Sequence, residues 1–252
     1  MTTLDTRTTT PESQPLWKRY KPGHHWRTQD DEFDACKLGF WLFLATEVLL
    51  FSGLFMAYTI FRYKYPQAFA NGSAALDWRW GALNTVILLI SSYTIAAAIR
   101  AFQLDLQKQA RRLLLITIAC GLAFLCIKFT FEYTPKWSGY FFVLDPALAH
   151  YQSDHSALWG LFHYVEGYGG KRPGILFDYA FAGDPNEVLW WSVYYSATAI
   201  HALHVVIGGA LILWVYVRSL KGAYGPTHYT MVETSGLYWH LVDLIWIFLF
   251  PL

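Results

Sequence analysis

The 252-residue chain is 55% hydrophobic and 19% aromatic, but only 15% charged, with a net charge of +1. Soluble domains carry roughly a quarter charged residues, so this composition excludes an ordinary soluble enzyme, and the near-zero net charge argues against a nucleic-acid partner. Three cysteines without a CxxC spacing exclude a disulfide scaffold. The expected class is all-α: a polytopic membrane helical bundle with five transmembrane helices.

Residues 1–35 are polar and carry Pro11, Pro15 and Pro22, which predicts an irregular cytoplasmic tail. No cleavable signal peptide is expected, because the first apolar run begins near Leu38 and is too long for an h-region. The membrane domain then fills 36–252. Its first span, 38–61, has Asp34 as N-cap, Glu47 inside, and Ser52-Gly53 for close helix approach. The second span is 80–102. The third, 112–134, contains Lys128 and Glu132 and is expected to stop at Pro135. One long loop, 135–184, is rich in Tyr, Phe, Gly and Pro and holds His150, His155 and His163. Loops of this length are usually functional or face a partner. Asp184-Pro185-Asn186-Glu187 supplies a cap, a first-turn proline and a capping acid for the fourth span, 185–217. The fifth span is 231–252.

Five spans place the termini on opposite sides. Lys18, Arg19, Arg27, Lys37, Arg100, Arg111, Arg112 and Arg218 head the basic residues on one side; Arg62, Lys64, Arg79, Lys136, Lys171 and Arg172 lie on the other. The excess of about two to one predicts a cytoplasmic N-terminus, an outward long loop and an outward C-terminus.

The apolar spans carry residues costly at membrane depth. His240 and Asp243 lie three apart in the fifth span, and His201 and His204 three apart in the fourth, so each pair shares a helix face. Such groups must turn toward protein or water rather than lipid. At 1.5 Å of rise per residue, Glu47 lies at about 13 Å and His240 at about 15 Å from the cytoplasmic boundary. Asp243 and His204 lie near about 20 Å, and His201 and Lys128 near about 24 Å. Depth therefore pairs Glu47 with His240, and Asp243 with His204, His201 or Lys128. Glu233 falls near the cytoplasmic surface and Glu132 near the outer one.

Three uses fit this seam: hydrogen bonding between helices, proton handling, and a metal or haem site. The neighbours Tyr238, Trp239, Trp246 and Val205 fill the room a porphyrin would need. His24-His25-Trp26 does not complete a coordination shell and fits a solvated cluster.

The stretches WLFLATEVLLFSGLF, FEY, SVYYSATAIHALHVVIGG and LYWHLVDLIWIFLF, in this order, resemble subunit III of the haem-copper oxidases. The resemblance covers 38–134 and 185–252, but not the tail or most of the loop. It implies a non-catalytic subunit with no haem or copper of its own; these sit in partner subunits. It implies packing on subunit I, which reduces oxygen and pumps protons, support of proton uptake there, and structural phospholipids in a cleft between helices. Glu47, Glu132, His201, His204, Glu233, His240 and Asp243 match the family's polar positions, with the first-span acid meeting the HxxH helix, a partner choice that differs from the one depth suggests. Lys128 stands where the family has an uncharged polar residue. Many members have seven helices; with the first two missing, a neighbouring subunit is expected to supply the absent cleft wall. The loop is expected to meet subunit II, an additional subunit or a periplasmic electron donor, and the setting is a bacterial inner membrane. A freestanding metal-dependent enzyme or proton-coupled transporter, with its site at His201, His204 and His240, stays open from the residues alone.

Overall fold

The structure is a computed structural model that describes residues 15–21, 23–24, 26–153, 155–170 and 186–252. Helix α1 runs Gln29–Lys64, α2 Pro66–Ala74, α3 Trp78–Gln103, α4 Gln107–Ile127, α5 Thr134–Ser138, α6 Glu187–Leu220 and α7 Thr230–Leu249. Among the described residues, four helical runs are long and apolar enough to cross a membrane: α1, α3, the continuous run Gln107–Ser138, and α6. Helix α7 has the length, but Glu233, His240 and Asp243 dilute its apolar character.

Helices α3 and α4 form an antiparallel hairpin, α4 packs on α6, and α7 closes against α3 and α6. Small residues and hydroxyls hold this bundle, as expected where lipid removes the hydrophobic drive between helices. Trp239 is fully buried: its ring lies against Gly121 and Gly208, where an added Cβ would come within 2.8 Å and 2.9 Å of it, and its Nε1 donates to Ser91 Oγ at 2.9 Å. Trp246 Nε1 donates to Thr85 Oγ1 at 3.1 Å, and Thr94 and Thr117 share a hydrogen bond of 2.8 Å. Helix α1 leans on α2, α6 and α7 and leaves most of its apolar surface uncovered.

Three expectations are corrected. First, the tail is not irregular throughout. A 3-10 turn, Leu16–Arg19, docks on the α6–α7 turn: Trp17 N donates to Gly222 O at 3.2 Å, and Tyr20 stacks on His228 with centroids 3.9 Å apart. Helix α1 begins at Gln29 with Thr28 as its cap, not at Asp34, because the Thr28 hydroxyl takes the Asp31 N–H at 3.1 Å and three acids fill the first turn. Second, Pro135 does not stop the third span. A π-helical turn, Lys128–Tyr133, widens the helix before the proline, Thr134 Oγ1 donates to Phe129 O at 2.7 Å, and the run ends at Ser138, where Gly139 takes φ +76°.

Third, the chain is not purely helical. The loop contains β1 (Tyr140–Phe142), β2 (His155–Ala157) and β3 (Phe162–Tyr164) in an antiparallel sheet ordered β1-β3-β2. Aromatic residues across it supply the cross-strand contacts, such as Phe142 with Phe162 at 5.5 Å. The β2–β3 turn holds Leu158 and Trp159 at positive φ, and Trp159 is 99% exposed. Helix α6 is described from Glu187, and the expected cap Asp184 and first-turn Pro185 lie outside the described residues. The side bearing this sheet is called here the hairpin face, and the opposite side, with the docked N-terminal segment, the tail face.

Candidate functional site: a divided polar seam

The depth-based pairing of Glu47 with His240 is wrong. Glu47 Oε2 lies 2.8 Å from His204 Nε2, joining α1 to α6, with the two side chains 16% and 10% exposed. Depth separates Glu47 from His204 by about 7 Å, yet the two side chains meet, so depth counted from the span ends fixes neither the level nor the partner. His204 Nδ1 sits 2.7 Å from Ile200 O, and a carbonyl can only accept, so Nδ1 carries a hydrogen. Nε2 then either accepts from a protonated Glu47 or donates to its carboxylate. In both forms the pair carries no net charge and shares one proton, so neither group stands as a lone charge inside the membrane. Phe51 and Tyr238 flank the imidazole, at 5.2 Å and 6.2 Å.

His240 turns to α3 instead, with Nδ1 2.7 Å from Ser92 Oγ. Asp243 meets none of His204, His201 or Lys128. It is 3% exposed, and neither of its carboxyl oxygens has a hydrogen-bond partner among the described residues. Cys120 of α4 also lies close enough to feel its charge.

Lys128 pairs with Glu132 one turn later inside the π-helical turn, the two side chains 3% and 8% exposed. Tyr194 of α6 closes this pair: its hydroxyl donates to Glu132 Oε2 at 2.9 Å and accepts from Lys128 Nζ at 3.2 Å. The ammonium also lies over the Trp246 ring at 5.0 Å. Lys136 Nζ donates to Glu132 O at 3.0 Å. A charged residue at position 128 is therefore housed by a local acid that needs no other helix to neutralise it. Glu233 sits at the tail face and pairs with Lys37 of α1 at 2.7 Å.

His201 joins none of these groups. It is 1% exposed and packed by Phe124 of α4 and Trp246 of α7, at 5.6 Å and 5.2 Å. His201, His204 and His240 thus address three different neighbourhoods. Among the described residues no three His, Cys, Asp or Glu side chains come together as metal ligands.

Two participants were missed. Ser92 and Tyr194 carry the contacts of His240 and of the Lys128–Glu132 pair. Ser91-Ser92 is visible as a small polar break in an apolar run, but Tyr194 in an aromatic stretch carries no distinguishing signal.

Near the hairpin face, a cavity of about 390 Å³ lies between α1, α2, the start of α3, the π-helical turn, α6 and α7, with Lys128, Glu132, Tyr194, Thr198 and Trp246 in its lining. Its walls are mostly apolar, and Arg62 reaches it from α1.

Residues 181–252 match the family model described as cytochrome c oxidase subunit III. The chain is 30% identical over 249 residues to cytochrome c oxidase subunit 3 of Synechocystis sp., covering 97% of this chain and 85% of that one. It is 32% identical over 216 residues to the protein of the same name from Thermostichus vulcanus, covering 85% and 84%. Similarity extends to the Loxodonta africana protein of that name, at 26% over 241 residues, covering 90% and 71%. Taken with the multi-pass bundle and the four stretches quoted from the sequence, these relatives place the chain in the cytochrome c oxidase subunit III family, as a membrane subunit of a respiratory haem-copper terminal oxidase.

Proposed function

We propose that this subunit is non-catalytic and acts by packing on subunit I, stabilising it during turnover and supporting its proton uptake. The Glu47–His204 pair carries this reading. It holds one proton inside the membrane, on a helix that leaves most of its apolar surface uncovered, and so is suited to exchange or hydrogen bonding beside a partner rather than to redox chemistry. Helix α7 serves as a fifth span, because its buried Trp239 and Trp246 sit at the centre of the bundle. The excess of basic residues at the tail face favours a cytoplasmic N-terminus in a bacterial inner membrane. The uncovered surface of α1 takes phospholipid and helices of a neighbouring subunit, which supply the wall missing from the lipid cleft. The sheet, with Leu158 and Trp159 at its tip, contacts a further subunit or an electron donor on the outer side.

Purification of the native complex tests this. The chain is expected to travel with a haem-bearing partner and bound phospholipid, while adding no chromophore of its own. Stoichiometric haem or metal on this polypeptide alone would overturn the assignment and restore the freestanding enzyme.

A further inference from the structure

The sheet in the long loop has two unlike ends. One end carries two turns: Asp145 N donates to Phe142 O at 2.8 Å, and Leu161 N to Leu158 O at 3.1 Å. Val143 N donates to Leu161 O at 2.9 Å, so the turns lie side by side. Val143, Leu144, Leu158, Trp159 and Leu161 are all exposed there, Leu144 by 73%. No Asp, Glu, Lys or Arg occurs in 155–165, and Asp145 is buried. The opposite end is polar, with Tyr140, His155 and Tyr164 in contact. Hairpin turns of positive φ normally use Asn, Asp or Gly, so turn chemistry does not account for Leu158 and Trp159 in that conformation.

The apolar end points toward the membrane. The third helical run rises to Ser138, and the chain reverses at Gly139. Phe142 then packs on Phe131 with centroids 5.4 Å apart, and Asp145 accepts from Trp80 Nε1 at 3.4 Å. Phe131 lies about 10 Å below Ser138 along the helix. Strand β1 therefore descends beside the helix it follows. Phe162 lies opposite Phe142, so the Leu158–Leu161 turn extends beyond that level, by about 3–7 Å at 3.3 Å per residue. The level itself is a membrane boundary. Arg100 lies about 30 Å from Trp80 along α3, and Arg112 lies about 30 Å from Glu132 along the third run, which is the thickness of the hydrocarbon. Trp80, stacked on Phe131, is the interfacial aromatic expected at such a boundary.

We propose that this end of the sheet is seated in the lipid leaflet at the hairpin face, with Leu144, Leu158 and Trp159 reaching the acyl chains. Hydrocarbon cannot satisfy peptide groups, so the turn backbone stays at headgroup level and side chains alone go deeper. Trp159 suits this depth, because its ring is apolar and its N–H can meet headgroups. A partner steered by charge finds no charged side chain on the tip. The edge strand β2, with His155 and Ser156 exposed, is what remains for a partner on the outer side. This rests on α3 and the third run crossing the membrane, not on the role of the subunit in the oxidase.

The test uses the intact oxidase in its native membrane, with Trp159→p-benzoylphenylalanine as a photo-crosslinker. Mass spectrometry of the peptide spanning 155–164 should find a phospholipid adduct as the main product. A conjugate with another subunit or with residues 171–185 of this chain would overturn the proposal, as would a peptide recovered without lipid. Trp159 is almost wholly exposed, so Trp159→Asp leaves the packing of the chain intact while making the tip costly in lipid. In lipid nanodiscs it should raise amide exchange across 155–164 at least about tenfold, with α3 and α4 unchanged. An unchanged rate in 155–164 would show that lipid does not hold the tip.

Discussion

The Lys128–Glu132 pair permits a double-mutant cycle with an unequal outcome. Both side chains are almost fully buried in the third span. Removing one partner of a buried pair strands a charge and costs about 3–5 kcal/mol, two to three and a half powers of ten in an equilibrium. Lys128→Met leaves Glu132 with the Tyr194 hydroxyl at 2.9 Å and with Lys136, whose charge also acts on it. Glu132→Gln leaves Lys128 with the Tyr194 oxygen at 3.2 Å and aromatic faces, and among the described residues no second carboxylate bridges to it. Glu132→Gln should therefore sit at the upper end of that range and Lys128→Met at the lower. The double variant should cost less than Glu132→Gln alone, because no charge is stranded. The assay is thermal unfolding of the subunit within the purified complex, together with the fraction of complex retaining it. Additive single costs, or a silent Glu132→Gln, would refute the view that each charge is tolerated only through the other.

Glu47→Gln keeps a hydrogen-bonding side chain facing His204 but removes the shared proton; assembly should be normal and activity should decay faster over repeated turnover, read by oxygen uptake. Gly208→Val drives a branched side chain into Trp239 and Tyr238 and should cost about 1–3 kcal/mol in thermal stability. Gly225→Leu collides with the Trp17 ring and should release the N-terminal segment, seen as new proteolytic cleavage before Thr28 with the bundle intact. Burial pushes the His228 imidazole below its ordinary 6.5. The folded state thus binds its proton less readily than the unfolded state, so docking of Tyr20 on His228 is full above pH 6.5 and weakens as pH falls below it. Hydrogen exchange of residues 16–21 at pH 7.5 and pH 5.5 should reveal faster opening at the lower pH, an effect lost in His228→Phe.

The sequence places every long helix to within a turn or two at most ends, because apolar runs in a membrane have few alternatives. It identifies the costly residues for the same reason. It does not identify their partners. His201 and His204, or His240 and Asp243, are treated as sharing a face, but a three-residue step also rotates by about 60° around the axis and rises about 4.5 Å. In a tightly packed bundle that suffices to send His204 to α1 and His201 to the α4–α7 side, and His240 to Ser92. The family resemblance directs Glu47 to the HxxH helix without choosing between His201 and His204, and depth points elsewhere. The sheet in the long loop was illegible because its strands are three residues each, too short for a period to register. The π-helical turn was hidden by Pro135, a normal stop signal that a widened turn accommodates.

The polar contacts of α1 follow a spacing that gives them a common purpose. Gln29 donates to Thr227 O at 2.7 Å, Lys37 pairs with Glu233 at 2.7 Å, Glu47 meets His204 at 2.8 Å, and Tyr58 donates to Leu252 O. Successive contacts are separated by about 12–16 Å along the helix. In lipid, apolar packing of α1 on α6 and α7 gains little over contact with acyl chains, so apolar surface alone sets neither its register nor its rotation. Four polar contacts, placed from the tail face to the hairpin face, set both. They hold Leu44, Phe51 and Tyr58 inward. The same rotation turns Leu38, Leu49 and Met56 outward as a continuous apolar surface. Contacts internal to the chain thus determine which face of α1 is offered to lipid or to a neighbouring subunit, and a change at Glu47 or Lys37 would be felt at that outer surface through rotation of the helix.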